Sequence, residues 1–330
     1  MKKWEVILGV DVSKLTLDIS YAEQHLHLRI SNDSKGFAVF KKWCREYKFE
    51  LENTLVVMEH TGGYEYRFMQ FCSSLGLSYC RLAGLEIKQS MGIQRGKNDQ
   101  ADSYRIATYG QEKIRRLKPS EPVNQQIMEL KQLLAFRKRL VREKAGLQAT
   151  LKERAHMYGH RKGDTITLLS RQKMKDAQKY IAKVEAEISE LIASDGQLLQ
   201  NYKILTSIKG VGPVNAWMTL AYTANFTLFS DARKYAVYIG VVPFSHSSGT
   251  SIRGRARVSH IANKELKQEL NQAAKAAITH DKDIGEYAAR KRLTKSYALV
   301  LNNVKFKLIL RMFSLIKRQE LYVDNYRKAA

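Results

Sequence analysis

Four acidic residues stand where phosphate chemistry would need them. Asp11 ends the apolar run Val6–Val10, and Glu59 ends a second run, Leu55–Met58. Asp99 and Asp102 lie three apart at the expected start of a helix and so share one helical face. Carboxylates at the ends of adjacent buried strands, joined by a helical pair, can converge on one spot. Such oxygen donors suit two Mg²⁺ ions about 3.5–4 Å apart, a spacing that clamps the attacking and leaving oxygens of a phosphate. Mn²⁺ is the natural substitute. A small residue, Gly9, sits beside Asp11, and the Gly62–Gly63 pair after Glu59 lets a backbone approach a metal or phosphate closely. Asp18 alternates outward on its strand and is expected at the surface.

The elements that must position these acids are legible in outline. Val6–Val12, Leu17–Tyr21 and Leu26–Ile30 read as three strands, the first nearly all apolar as a central strand should be. A helix over Phe37–Tyr47 follows, with Ser34 as its cap, then strand Leu55–Met58, a helix over Tyr64–Leu75 and strand Ser78–Leu82. Three strands followed by alternating helices and strands is the order of an RNase H-like α/β layer, so residues 1–123 are expected to form the catalytic domain.

Residues 124–200 change character. Ile127, Leu130, Leu134, Val141, Leu147 and Leu151 form one stripe, and Ile181, Val184, Ile188 and Leu191 another. These spacings predict a helical hairpin or coiled coil, either a spacer packing on its own chain or a dimerisation arm. Residues 201–330 read as mainly α, with long helices over Lys264–His280 and Ser296–Gln319 and a Gly/Ser/Arg-rich loop over Pro243–Arg257.

Charge points the same way. The chain of 330 residues carries a formal net charge of +24. Residues 1–123 hold 19 basic and 15 acidic side chains, whereas residues 201–330 hold 22 and 8. Such an excess predicts a polyanionic partner for the back half. Cys44, Cys72 and Cys80 form no CxxC pair, which argues against a disulfide framework or zinc site and predicts a reducing, cytoplasmic setting. No apolar stretch is long enough for a membrane span.

Two motifs lie in that basic back half. Ile208-Lys209-Gly210-Val211-Gly212-Pro213 resembles a helix-hairpin-helix turn, whose amides, with Lys209, Gly210 and Gly212, would bind DNA phosphates. A plain helix–helix turn has the same pattern. Ser245-His246-Ser247-Ser248-Gly249-Thr250-Ser251 is followed by Arg253, Arg255 and Arg257. It reads as a phosphate-binding loop, or as a loop in which one serine attacks a phosphate that the arginines neutralise. Composition does not say which serine.

The motifs Gly9-Val10-Asp11-Val12-Ser13-Lys14, Glu59-His60-Thr61-Gly62-Gly63-Tyr64, Lys97-Asn98-Asp99-Gln100-Ala101-Asp102 and Ser248-Gly249-Thr250-Ser251-Ile252-Arg253-Gly254 occur in this order. In that order they closely resemble the DEDD transposases of bacterial insertion sequences, relatives of the Piv-type DNA invertases. The resemblance implies a RuvC-like front domain, a coiled-coil middle over 124–200 and a serine-bearing transposase domain over 201–330. It makes Asp11, Glu59, Asp99 and Asp102 the metal-binding tetrad and Ser248 the nucleophile. It further implies a DNA recombinase guided by a structured noncoding RNA and working as a dimer of dimers. The chain departs from the family at Asn98 (usually Thr), Ser103 (usually Ala), His260 (usually Lys), Ala262 (usually Gly) and Leu82-Ala83-Gly84, where an Asn-Pro turn is common. A hydrolytic rival, a Holliday-junction-type metal-dependent nuclease, would use the same acids with water in place of serine.

Overall fold

The computed structural model describes residues 4–90, 98–122, 124–159, 163–248 and 252–324, without the side chains of 245–248 and 252–256. Two compact units divide at Val123 and Asn124.

The front unit is built on a five-stranded mixed sheet in the order β3-β2-β1-β4-β5. Its strands are β1 (Val6–Val12), β2 (Thr16–Tyr21), β3 (Leu26–Ser31), β4 (Thr54–Glu59) and β5 (Ser78–Leu82). The first three run antiparallel, while β1, β4 and β5 are parallel. Helices cover both faces. On one side, α1 (Ser34–Glu46) and α2 (Tyr66–Ser74) pack Phe37, Phe40, Trp43 and Phe68 against Leu8, Val10, Val12, Leu17 and Ile19. On the other, α3 (Gly84–Ser90) and α4 (Asp99–Lys113) pack Ile87, Ile106 and Tyr109 against Ile7, Leu55 and Val57.

This second cover corrects the expectation for Asp18. Strand alternation puts Asp18 on the face away from Leu17 and Ile19, but that face is buried by α4 and not wet. Asp18 is only 2% exposed, with His27 Nε2 at 2.9 Å and Arg29 Nε at 3.8 Å compensating its charge. A smaller difference concerns α1. Its cap is Asp33, whose carboxylate accepts from the Gly36 N–H at 2.9 Å, rather than Ser34.

The second unit is mostly helical. Helices α5 (Gln125–Tyr158) and α6 (Thr165–Ala193) form an antiparallel hairpin. Its root shares one core with the helices that follow: Ile127, Leu130, Leu134 and Leu140 from α5 and Ile181, Val184, Ile188 and Ile192 from α6 lie among Trp217, Tyr235, Leu270 and Leu308. Those helices are α7 (Gly196–Ser207), α8 (Pro213–Thr223), α9 (Ala232–Ile239), α10 (Lys264–His280), α11 (Lys282–Arg292) and α12 (Tyr297–Arg318). Among the described residues no helix is long and apolar enough to cross a membrane.

Where a loop was expected over Pro243–Arg257, the chain forms an antiparallel hairpin, β6 (Pro243–Ser248) and β7 (Ile252–Val258). The Ser and Gly content hides a period of two, with Arg253, Arg255 and Arg257 alternating with Ile252, Gly254, Ala256 and Val258. Backbone pairing needs only that alternation and a turn. The turn residues Gly249, Thr250 and Ser251 lie outside the described residues.

Candidate active site and the serine hairpin

Asp11 is the next-to-last residue of β1, and Glu59 ends the adjacent parallel strand β4, where Val10 pairs with Met58. Side chains alternate along a strand, so Ile7, Gly9 and Asp11 share the α4 face with Leu55, Val57 and Glu59. Antiparallel pairing puts Asp18 directly opposite Asp11 on that same face. The apolar part of each strand buries the sheet, and each acid lies at its carboxyl end.

Helix α4 supplies the other two acids from its first turn. Asn98 caps it by accepting from the Gln100 N–H at 3.1 Å, so the Asn found in place of Thr still does a cap's work. Close packing fixes where this turn lies. A Cβ on Gly9 would stand 2.1 Å from the Ala107 nitrogen and 2.3 Å from the Ser103 oxygen. Further along, a Cβ on Gly110 would meet Ile7 and Val57 within 3 Å. Ser103 is fully buried and exchanges a 2.7 Å hydrogen bond with Ser20 of β2, which explains a serine at that position. These contacts were not anticipated from sequence, although two glycines spaced to admit a helix were a visible signal.

The electrostatics follow from this convergence. Burial, reinforced by the negative charges of Asp102, Asp99, Asp18 and Glu59, pushes the Asp11 carboxyl up to about 6. Asp11 has neither an ion pair nor a hydrogen bond among the described residues. Its neighbours do: Asp102 pairs with Arg105 at 2.7 Å, and Arg29 Nη2 is 3.8 Å from Asp99. Among the described residues no three carboxylate, imidazole or thiol groups surround one point at ligating distance. An all-oxygen donor set in which Asp11 and Glu59 have no ion pair among the described residues suits a hard divalent ion.

Loop contacts fix the acids further. Asn32, 6% exposed, donates through Nδ2 to the carbonyls of Ser13 (3.1 Å) and Tyr64 (2.9 Å), tying the chain after Asp11 to the chain after Glu59. Glu65 organises the latter loop. Burial alone would raise its carboxyl, but His60, Thr61 and the Gly63 N–H hold it down at about 2. Gly84 leaves room for Glu59 itself, since a Cβ there would fall 1.8 Å from Glu59 Oε1. Gly84→Ala is therefore expected to turn the Glu59 carboxylate away and lower activity about 10–100-fold, with a melting temperature within a few degrees of wild type. Parallel activity and melting assays check this; unchanged activity would free Glu59 from any need for that space.

In the second unit, Ser248 is the last residue of β6 and pairs with Ile252; Ser247 pairs with Arg253. Arg257, on β7, is exposed. Gly210 and Gly212 lie in the turn between α7 and α8. Gly210 has φ of 93°, and a Cβ there would stand 2.5 Å from the Ala273 oxygen of α10. Its glycine is thus required by packing whatever the turn binds. Gly212 caps α8, and Lys209 pairs with Asp324 of the same chain.

Comparison with known proteins gives two family matches in chain order, the first running from the front unit through α5. A DEDD-type IS110 model described as "Transposase" matches residues 8–157, and one described as "Transposase IS116/IS110/IS902 family" matches residues 202–289. The "Transposase for insertion sequence element IS1111A" of Coxiella burnetii is 22% identical over 307 residues, 84% of this chain and 79% of the relative. The "Probable family 20 transposase" of Pseudomonas aeruginosa is 22% identical over 283 residues, covering 78% of each. An IS110 insertion-element protein of Streptomyces coelicolor is 30% identical over 120 residues, 36% of this chain and 29% of the relative. With both models of one family matching in chain order, and the acids lying in the first, this chain belongs to the IS110 family of transposases.

Proposed function

We propose that this protein is the DNA recombinase of an insertion sequence, cleaving and rejoining strands through a phosphoserine intermediate. The observation that carries the reading is the placement of Asp11 and Glu59 at the carboxyl ends of β1 and β4, within electrostatic reach of Asp99 and Asp102 in the first turn of α4, with Asp11 uncompensated. The strand order and the helix carrying the last two acids support an RNase H-like front unit. Those four residues would hold Mg²⁺, or Mn²⁺ in its place; when bound, it supplies charge stabilisation at the scissile phosphate.

The serine hairpin supplies the nucleophile. Ser248 Oγ bonds to phosphorus and gives up its proton, while the bond to the sugar oxygen breaks and that oxygen leaves as a hydroxyl. A hydroxyl of the incoming strand then reverses the exchange, restoring the serine. The phosphoester link conserves the bond energy, so rejoining needs no ATP. Arg253, Arg255, Arg257 and Lys209, with the amides around Gly210 and Gly212, would hold backbone phosphates. A structured noncoding RNA of the element would select donor and target, and a dimer of dimers, joined through the α5–α6 arms, would bring serine and acids of different subunits together.

The test is a denaturing-gel assay with Mg²⁺, the element's end sequences and RNA transcribed from its flanks. Wild type is expected to give a covalent protein–DNA adduct that Ser248→Ala loses completely. Cleavage without an adduct, surviving Ser248→Ala, would leave a metal-dependent nuclease that uses water.

A further inference from the structure

Two lysines whose charges influence each other lie at the foot of the serine hairpin, with no acidic partner among the described residues. Lys305 of α12 is only 6% exposed, and among the described residues its amine makes no hydrogen bond or ion pair. Lys267 of α10 donates to the Gly240 carbonyl at 2.7 Å. Burial, helped by the charge of Lys267, holds the Lys305 amine down at about 8.

Both roots of the hairpin meet here. Asn302, one turn before Lys305 on α12, donates to the Val241 carbonyl at 2.7 Å on the way into β6. On the way out of β7, the Asn263 N–H donates to the Tyr238 carbonyl at 3.0 Å and Asn263 Nδ2 to its hydroxyl at 3.1 Å. Gly240, with φ of 74°, admits Ala262 so closely that a Cβ would lie 2.6 Å from it.

A buried ammonium beside a second one costs stability, and a methionine would fill the same space without charge. The acids of α10 do not answer it, because Glu265 pairs with Lys138 and Glu269 is influenced by Arg137 and Lys138, both of α5. The Lys305 amine is not among the fully enclosed unpartnered atoms and so reaches solvent, where an anion from outside the chain could compensate it.

We propose that Lys305 and Lys267 form a phosphate site that holds a DNA backbone phosphodiester at the root of the hairpin bearing Ser248. Two adjacent amines can share the non-bridging oxygens of one phosphate, and a strand anchored there enters beside the hairpin's fixed end. Only the identity of the polyanion rests on the proposed function.

Fluorescence anisotropy with labelled duplex DNA, over a series of KCl concentrations, tests the site on the full chain. Lys305→Met is expected to melt no lower than wild type, bind about tenfold more weakly and lose about one unit of slope in log affinity against log salt. Lys267→Gln, which can still donate to Gly240, provides a second variant and is expected to weaken binding in the same direction. Wild-type affinity and slope in both variants would overturn the proposal. So would an effect confined to a structured RNA, or to the melting shift induced by inorganic phosphate, which would place RNA or a free anion there. Binding is read without reaction, so failure of wild type to form an adduct bears on the proposed function and not on this site.

Discussion

Asp11→Asn is expected to abolish strand joining, by at least about 10³-fold, and yet to raise the melting temperature in metal-free buffer. The loss follows if Asp11 helps hold the ion that stabilises charge at phosphorus, an effect of several kcal/mol at about 1.4 kcal/mol per factor of ten. The gain follows from crowding. The Asp11 carboxyl titrates near 6 in the fold against 3.8 ordinarily, so its ionised form is held at a cost. That cost is absent below about pH 4, grows as the pH rises, and is full above about pH 6. Allowing for partial exposure, it amounts to roughly 1–2 kcal/mol, which an amide does not incur. Calorimetry in EDTA at about pH 5 and about pH 7.5 should show the variant's advantage growing with pH. Adding Mg²⁺ should then raise the melting temperature of wild type alone. Wild-type joining by the variant would remove Asp11 from the chemistry, and a pH-independent difference would remove the electrostatic cost.

Gly9→Ala should be nearly as damaging through packing alone. The atoms a new Cβ would strike, the Ala107 nitrogen and Ser103 oxygen, belong to the α4 backbone and cannot rotate aside. Helix and strand must part, at about 3 kcal/mol or more. Their separation carries Asp99 and Asp102 away from Asp11 and Glu59. Thermal denaturation should show the front unit melting earlier, with strand joining lost even at temperatures where it stays folded. Retained activity would mean that the acids need not meet across this contact. Gly110→Ala meets only the Ile7 and Val57 side chains, which can yield, and serves as the milder comparison.

These residues also mark how far the sequence could be read. Apolar runs ending in Asp11 and Glu59 expose both the strands and their acids, because burial selects apolar residues up to the point where function requires charge. Asp18 runs against expectation because alternation identifies two faces but not what covers each; α4 arrives from more than eighty residues away and buries the one expected to be wet. The β6–β7 hairpin was read as a loop because its composition is that of turns, and backbone pairing leaves little trace in Ser and Gly. Lys305 was overlooked since a lysine on an amphipathic helix ordinarily faces water. The Glu65 and Asn32 contacts depend on loop geometry that no periodicity encodes.

Within the second unit, the described core contacts of the α5–α6 hairpin lie at its root, the last on α5 at Leu140, with the helix running on to Tyr158. At 1.5 Å per residue the tip stands about 27 Å beyond that anchor. It is therefore a cantilever. A tilt of about 10° at the root sweeps the tip through roughly 5 Å, so small repacking among Leu134, Ile188 and Trp217 is magnified at the far end. Conversely, whatever grips the tip applies torque to the same core that supports the serine hairpin.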